Sequence, residues 1–244
     1  MTDADRERVV AALLGIFDRL ACHERVEAVV PGYGGRHRDL AVARAGGDPE
    51  AIELELLRIY SFVHGSGGAY GRDDRVEFER LGGYWCHAGG VEPLVLAGRL
   101  IGPRTRLVDY GAGNGLQGLL LQALYPHRST TLVELGAPMI VQGRLLQSLL
   151  GIPEERVAWV HASIVDVPPR EFDTVYLYRP VRPEGTGRAF YEMFAREAAA
   201  LCRPLEIVSV ADCLKDFLPP SFRILHDDGQ VTLFSNRESF PGDG

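Results

Sequence analysis

Apolar residues recur at helical spacing from the start of the chain. Val9, Val10, Leu13, Leu14, Ile16, Phe17 and Leu20 line one face, with Arg6, Glu7, Asp18 and Arg19 opposite, which predicts an amphipathic helix from Asp3 to about Val30. Pro31-Gly-Tyr-Gly-Gly35 breaks the pattern. Asp48-Pro49-Glu50 reads as an N-cap with proline at the first helical position, and it starts a helix from Pro49 to about Val63. His64-Gly-Ser-Gly-Gly-Ala-Tyr-Gly71 holds too much glycine for a helix or strand interior, so a loop is expected. Short helices are expected at Arg75 to Leu81 and Val91 to Ile101, on either side of Gly82-Gly-Tyr-Trp-Cys-His-Ala-Gly-Gly90.

The texture changes at Arg104. Strands are expected at Thr105 to Tyr110, Thr130 to Leu135, Val157 to Val160, Thr174 to Tyr178 and Glu206 to Val210. Between them lie helices at Leu116 to Leu124, Pro138 to Leu150 and about Gly187 to Leu201. Such alternation builds a parallel α/β sheet with helices on both faces. Phe222 to Leu225 and Gln230 to Phe234 flank Asp227-Asp-Gly229, a turn that predicts a closing antiparallel hairpin. The expected division is a helical N-terminal part, residues 1–102, which caps the site and binds substrate, and a core of residues 103–244.

Composition narrows the chemistry. Of 244 residues, 46% are hydrophobic and 24% charged, the balance of a folded globular protein rather than a disordered or collagen-like one. The first residues are charged and no apolar run reaches the ~18 residues that span a bilayer, so a cytoplasmic protein is expected. Net charge is −7, with 12 basic and 16 acidic residues before Pro103 and 14 and 17 from there on, which argues against a nucleic-acid partner. Lys215 is the sole lysine, and there is no Gly-Lys-Ser/Thr loop, so pyridoxal enzymes and P-loop nucleotidases are disfavoured. Cys22, Cys86, Cys202 and Cys213 form no Cys-x-x-Cys pair and read as reduced, mostly buried thiols. The histidine spacing suggests no metal site.

Leu107-Val-Asp-Tyr-Gly-Ala-Gly-Asn-Gly115 places three alternate glycines between a strand and a helix. Glycine lets the chain turn sharply and brings backbone N–H groups against a ligand near a helix N-terminus. Glu134 ends the next strand 19 residues later, where a carboxylate can accept hydrogen bonds from both hydroxyls of a ribose. Gly113-Asn-Gly-Leu-Gln-Gly118 also satisfies the dinucleotide pattern, so an NAD(P)-dependent oxidoreductase is an alternative. A non-catalytic cofactor-binding or regulatory module is another.

From Arg104 onward the Asp-x-Gly-x-Gly-x-Gly loop, Glu134 and the terminal hairpin resemble the class I S-adenosylmethionine-dependent methyltransferases. The resemblance implies a doubly wound, Rossmann-like sheet of order 3-2-1-4-5-7-6 with its last strand antiparallel. It implies S-adenosyl-L-methionine as cofactor, S-adenosyl-L-homocysteine as product, and in-line methyl transfer to oxygen or nitrogen of a small-molecule acceptor. It assigns cofactor contacts to Asp109, Gly111, Ala112, Gly113, Gly115 and Glu134. Leu135 is placed on the adenine, with Ala162, Ser163 and Ile164 beside it, although the acidic residue usual after the third strand is missing from Val160-His-Ala-Ser-Ile164.

The end of the fourth strand faces the transferred methyl group in that family, and here it reads Tyr178-Arg-Pro180. Arg179 and Arg182 are candidate clamps for an acceptor anion. His87 and His64, beside glycine loops of the N-terminal part, are candidate bases together with Tyr178. Tyr84 and Trp85 are candidate acceptor contacts, and Tyr33, Tyr60, Phe62 and Tyr70 lie in the same part, with Tyr60 and Phe62 expected to serve packing. A homo-oligomer is compatible with all of this.

Overall fold

The computed structural model describes residues 3–67, 70–83, 90–211 and 213–237. Among these, seven strands form one sheet: β1 (Arg106–Tyr110), β2 (Ser129–Glu134), β3 (Val157–His161), β4 (Thr174–Tyr178), β5 (Glu206–Val210), β6 (Arg223–Asp227) and β7 (Val231–Ser235). Their order is 3-2-1-4-5-7-6; β1 to β5 pair in parallel and β7 runs antiparallel to both β5 and β6. This is the order the resemblance implied. The helices are α1 (Asp3–Ala21), α2 (Val26–Val29), α3 (Tyr33–Gly46), α4 (Pro49–His64), α5 (Arg72–Arg80), α6 (Val91–Ala97), α7 (Leu116–Leu124), α8 (Ala137–Leu149) and α9 (Gly185–Ala199).

Strand side chains alternate between two buried faces, as the pleat requires. Leu107, Leu132, Tyr176, Val208 and Leu233 join one core with Leu13 and Phe17 of α1, Leu56 of α4, Leu94 of α6 and Leu119 of α7. Val108, Val133, Val175, Leu177 and Ile207 face the other way, onto Phe190, Tyr191 and Phe194 of α9. The N-terminal helices thus share a continuous core with the first face of the sheet. None of the described helices is long and apolar enough to cross a membrane.

Where elements differ from expectation, local hydrogen bonds account for it. α1 stops at Ala21 instead of running to Val30; the chain turns there, with the Arg25 N–H donating to His23 Nδ1 at 3.2 Å, and resumes as α2. The glycines at 32, 34 and 35 do not exclude a helix, because α3 begins among them. The Glu27 carboxylate accepts from the Gly32 and Gly34 N–H groups at 2.8 and 2.6 Å and satisfies donors that a helix start leaves free. α6 ends at Ala97, short of Ile101, where the Arg99 and Leu100 N–H groups donate to the Leu96 and Ala97 carbonyls at 3.1 and 3.0 Å, the tighter bonds of a 3₁₀ turn.

Candidate cofactor site

β1 runs into the glycine turn, which is fastened to the next strand: the Gly111 and Ala112 N–H groups donate to the Val133 carbonyl at 2.9 and 3.0 Å. Gly111, Gly113 and Gly115 all have positive φ, between 59° and 74°, the left-handed region that favours glycine. They serve different ends. At Gly113 a Cβ would meet nothing within 4 Å, so this backbone is open to a ligand. At Gly115 it would sit 2.4 Å from Trp159 Cη2, and the absent side chain is what lets α7 close on the sheet. Between them Asn114 donates from Nδ2 to the Val63 carbonyl at 2.7 Å, tying the turn to the end of α4. Tyr60 of α4 makes a second tie through Gln117.

Glu134 ends β2 and is 2% exposed. Its carboxylate accepts from the N–H groups of Gly113 and Gly136, each at 2.7 Å, with the Tyr70 hydroxyl as a further donor beside it. Burial raises its pKa above the ordinary value and these hydrogen bonds pull it back. Asp109 lies deeper, under the turn. Burial, then the charge of Glu134, push its pKa up to about 7, opposed by the hydrogen bond from the Gly118 N–H. Asp109 therefore supports the turn from below and is not part of the cavity wall.

One cavity opens above this turn. Its walls bring together Gly111, Gly113, Glu134, Leu135, Ser163, Ile164, His64, Tyr178 and Arg179 from the sequence reading. Ala112, Gly115, Ala162 and Arg182 lie off it; the Ala162 N–H is bonded to the Glu134 carbonyl at 3.2 Å, and the Arg182 N–H to the Gly82 carbonyl at 2.9 Å. Ser163 turns its hydroxyl to Glu77 of α5 at 3.4 Å. Tyr84, Trp85 and His87 fall outside the described residues.

Arg179 has φ 33° and donates from Nε to the Ala211 carbonyl at 2.8 Å; Ala211, with φ 50°, is strained likewise at the end of β5. Cys22 and Cys202 are exposed and Cys213 is half-buried, correcting the expectation of mostly buried thiols: these residues sit in turns after α1, α9 and β5, off the packed faces. Sequence reasoning did not assign Phe78, Leu81, Gly83, Met139, Pro180 and Val181 to the site. Gly83 and Val181 arrive there through an antiparallel bridge between remote segments.

A sheet of order 3-2-1-4-5-7-6 with β7 reversed, a glycine turn after β1 and a buried acid ending β2 now stand together. The chain has the Rossmann-like methyltransferase fold. No protein-family model matches it, and no curated protein sequence does. Solved structures do. TrmN from Thermus thermophilus is 20% identical over 59% of this chain and 46% of its own, with a TM-score of 0.44. An RNA methyltransferase from Salinibacter ruber in complex with S-adenosyl-L-homocysteine is 17% identical over 62% and 93%, with a TM-score of 0.45. A protein in the NADB-Rossmann superfamily from Streptococcus agalactiae is 14% identical over 59% and 66%, with a TM-score of 0.43. The chain thus spans less than half the length of TrmN.

The sequence reading that gave the chain a small-molecule acceptor and excluded nucleic acid is withdrawn; an RNA methyltransferase stands among the structures to which the chain is similar. Net charge summed over a whole chain does not report the surface around one cavity, and a fold alone does not choose its substrate.

Proposed function

We propose that the chain is an S-adenosyl-L-methionine-dependent methyltransferase whose cofactor is held in the cavity above the glycine turn. The observation that carries this reading is the buried Glu134 carboxylate, fixed by the Gly113 and Gly136 N–H groups at the rim of an open glycine backbone. These residues fit a nucleoside: Glu134 would take the ribose hydroxyls, Leu135 and Ile164 the adenine faces, and Gly111 and Gly113 the amino-acid portion. When bound, the cofactor supplies a methyl group on a sulfonium, ready for in-line displacement by a nucleophile.

The protein's contribution is alignment and exclusion of water. Phe78, Leu81, Ile164 and Val181 give the cavity an apolar wall. Among the described residues, His64, at the last turn of α4 and stacked on Tyr60 at 6.1 Å, Tyr178, at the end of β4, and Tyr70 are the titratable groups on that wall beside Glu134 and Arg179. Where the acceptor nucleophile starts protonated, they are the groups in reach to take its proton. In this reading residues 1–102 supply the roof through His64, Tyr70, Phe78, Leu81 and Gly83, and residues 103–244 the floor.

Glu134→Ala tests it. Calorimetric titration with S-adenosyl-L-homocysteine should show at least about a tenfold loss of affinity, with the circular-dichroism spectrum unchanged. Equal affinity in the variant would remove Glu134 from the site.

A further inference from the structure

A carboxylate offers about four lone-pair positions. At Glu134 the N–H groups of Gly113 and Gly136 take two of them, each at 2.7 Å, and the Tyr70 hydroxyl stands as a further donor to the carboxylate. The Tyr70 ring lies directly on the end of β2: a Cβ built on Gly136 would be 2.7 Å from Tyr70 Cε1. Phe78 of α5 backs the ring, with centroids 5.2 Å apart and planes tilted by 31°. Tyr70 also lines the cavity, whose volume of about 130 Å³ falls below the roughly 300–1,000 Å³ of ligand clefts. With Tyr70 in place, Glu134 keeps about one acceptor position, one short of what the two hydroxyls of a ribose need.

We propose that Tyr70 is an internal ligand of the cofactor site, holding the Glu134 carboxylate until the ribose of an incoming nucleoside displaces it. The inference rests on the ribose-binding role given to Glu134 above. Its hydroxyl supplies the same chemistry as the ribose, a hydroxyl donor to a buried carboxylate. Gly71 follows the residue directly and gives its backbone conformational range to withdraw. Because the bond that is broken is charge-assisted, its loss is subtracted from the affinity of whatever replaces it. Tyr70 thereby sets how tightly the cofactor is held without contributing a hydrogen bond to it.

Tyr70→Phe keeps the ring and its contact with Phe78 and removes only the competing donor. Wild type and variant are titrated calorimetrically with S-adenosyl-L-homocysteine, after thermal melting establishes that both are folded. The variant is expected to bind about threefold to tenfold more tightly. An unchanged or larger dissociation constant in the variant overturns the proposal and makes Tyr70 an ordinary wall or a cofactor contact. Binding by neither chain overturns the cofactor reading itself, and the internal ligand with it. Binding by wild type without tightening in the variant overturns the internal ligand alone.

Discussion

Replacing Asp109 by Asn should make the protein's stability less dependent on pH, with a sign and size that follow from the carboxyl's surroundings. Burial and the Glu134 charge push the Asp109 pKa from the ordinary 3.8 up to about 7. In the unfolded chain the group titrates at its ordinary value, so between about pH 4 and pH 7 the folded state binds more protons than the unfolded one. The stability contributed by the protonated carboxyl is complete below pH 4 and is lost as the pH rises through 7. At 1.36 kcal/mol per pH unit, the interval from 3.8 to about 7 corresponds to about 4 kcal/mol. Sharing of the proton with Glu134 reduces what one residue shows.

Asp109→Asn keeps the shape and the acceptor for the Gly118 N–H but cannot ionise. Urea unfolding of both chains from pH 5 to pH 8 should show the variant gaining about 2–3 kcal/mol on wild type across that span. A difference between the two chains that stays constant to within about 0.5 kcal/mol over the span would refute the buried proton.

Two of the turn's glycines should respond to a methyl group with losses of different size. Gly115→Ala, with φ 71° and a Cβ 2.4 Å from Trp159 Cη2 and 2.8 Å from Leu132 Cδ1, should lose about 2–4 kcal/mol in thermal unfolding. Gly113→Ala, where a Cβ meets nothing within 4 Å, should lose only the ~1 kcal/mol of the left-handed backbone. At the opposite end of the sheet, the Asp173 carboxylate accepts from the Arg106 backbone N–H at 2.9 Å and from its guanidinium at 2.9 and 3.0 Å. Burial raises the Asp173 pKa, but the Arg106 hydrogen bonds outweigh it and hold the value below the ordinary one. The stability it contributes is therefore present at neutral pH and lost as the pH falls through that lowered value. Asp173→Asn should cost about 1 kcal/mol at pH 7, after discounting for its partial exposure, and the deficit should vanish in acid urea titrations.

The sheet was legible because its strands are short apolar runs with clear ends. The strands Thr174–Tyr178 and Glu206–Val210, like the helix Leu116–Leu124 between β1 and β2, begin and end where the apolar pattern does. The glycine turn and Glu134 were legible because their spacing along the chain mirrors their proximity in space. α3 was not, since Gly32, Gly34 and Gly35 read as a break and the Glu27 carboxylate that caps them matches no standard capping spacing. The cavity's roof was illegible for a related reason. Gly83 reaches it by pairing with Val181, about a hundred residues later, and Phe78 and Leu81 line it just before that bridge. Tyr70 stood out as an aromatic among glycines, but nothing in its sequence neighbourhood points to Glu134.

The most direct measurement is calorimetric titration of the purified protein with S-adenosyl-L-methionine and S-adenosyl-L-homocysteine, with NADH and NADPH as competing ligands. Micromolar binding of the two sulfur nucleosides alone is the predicted result. Binding of a nicotinamide nucleotide, with no binding of either sulfur nucleoside, would contradict the methyltransferase reading and the role given to Glu134.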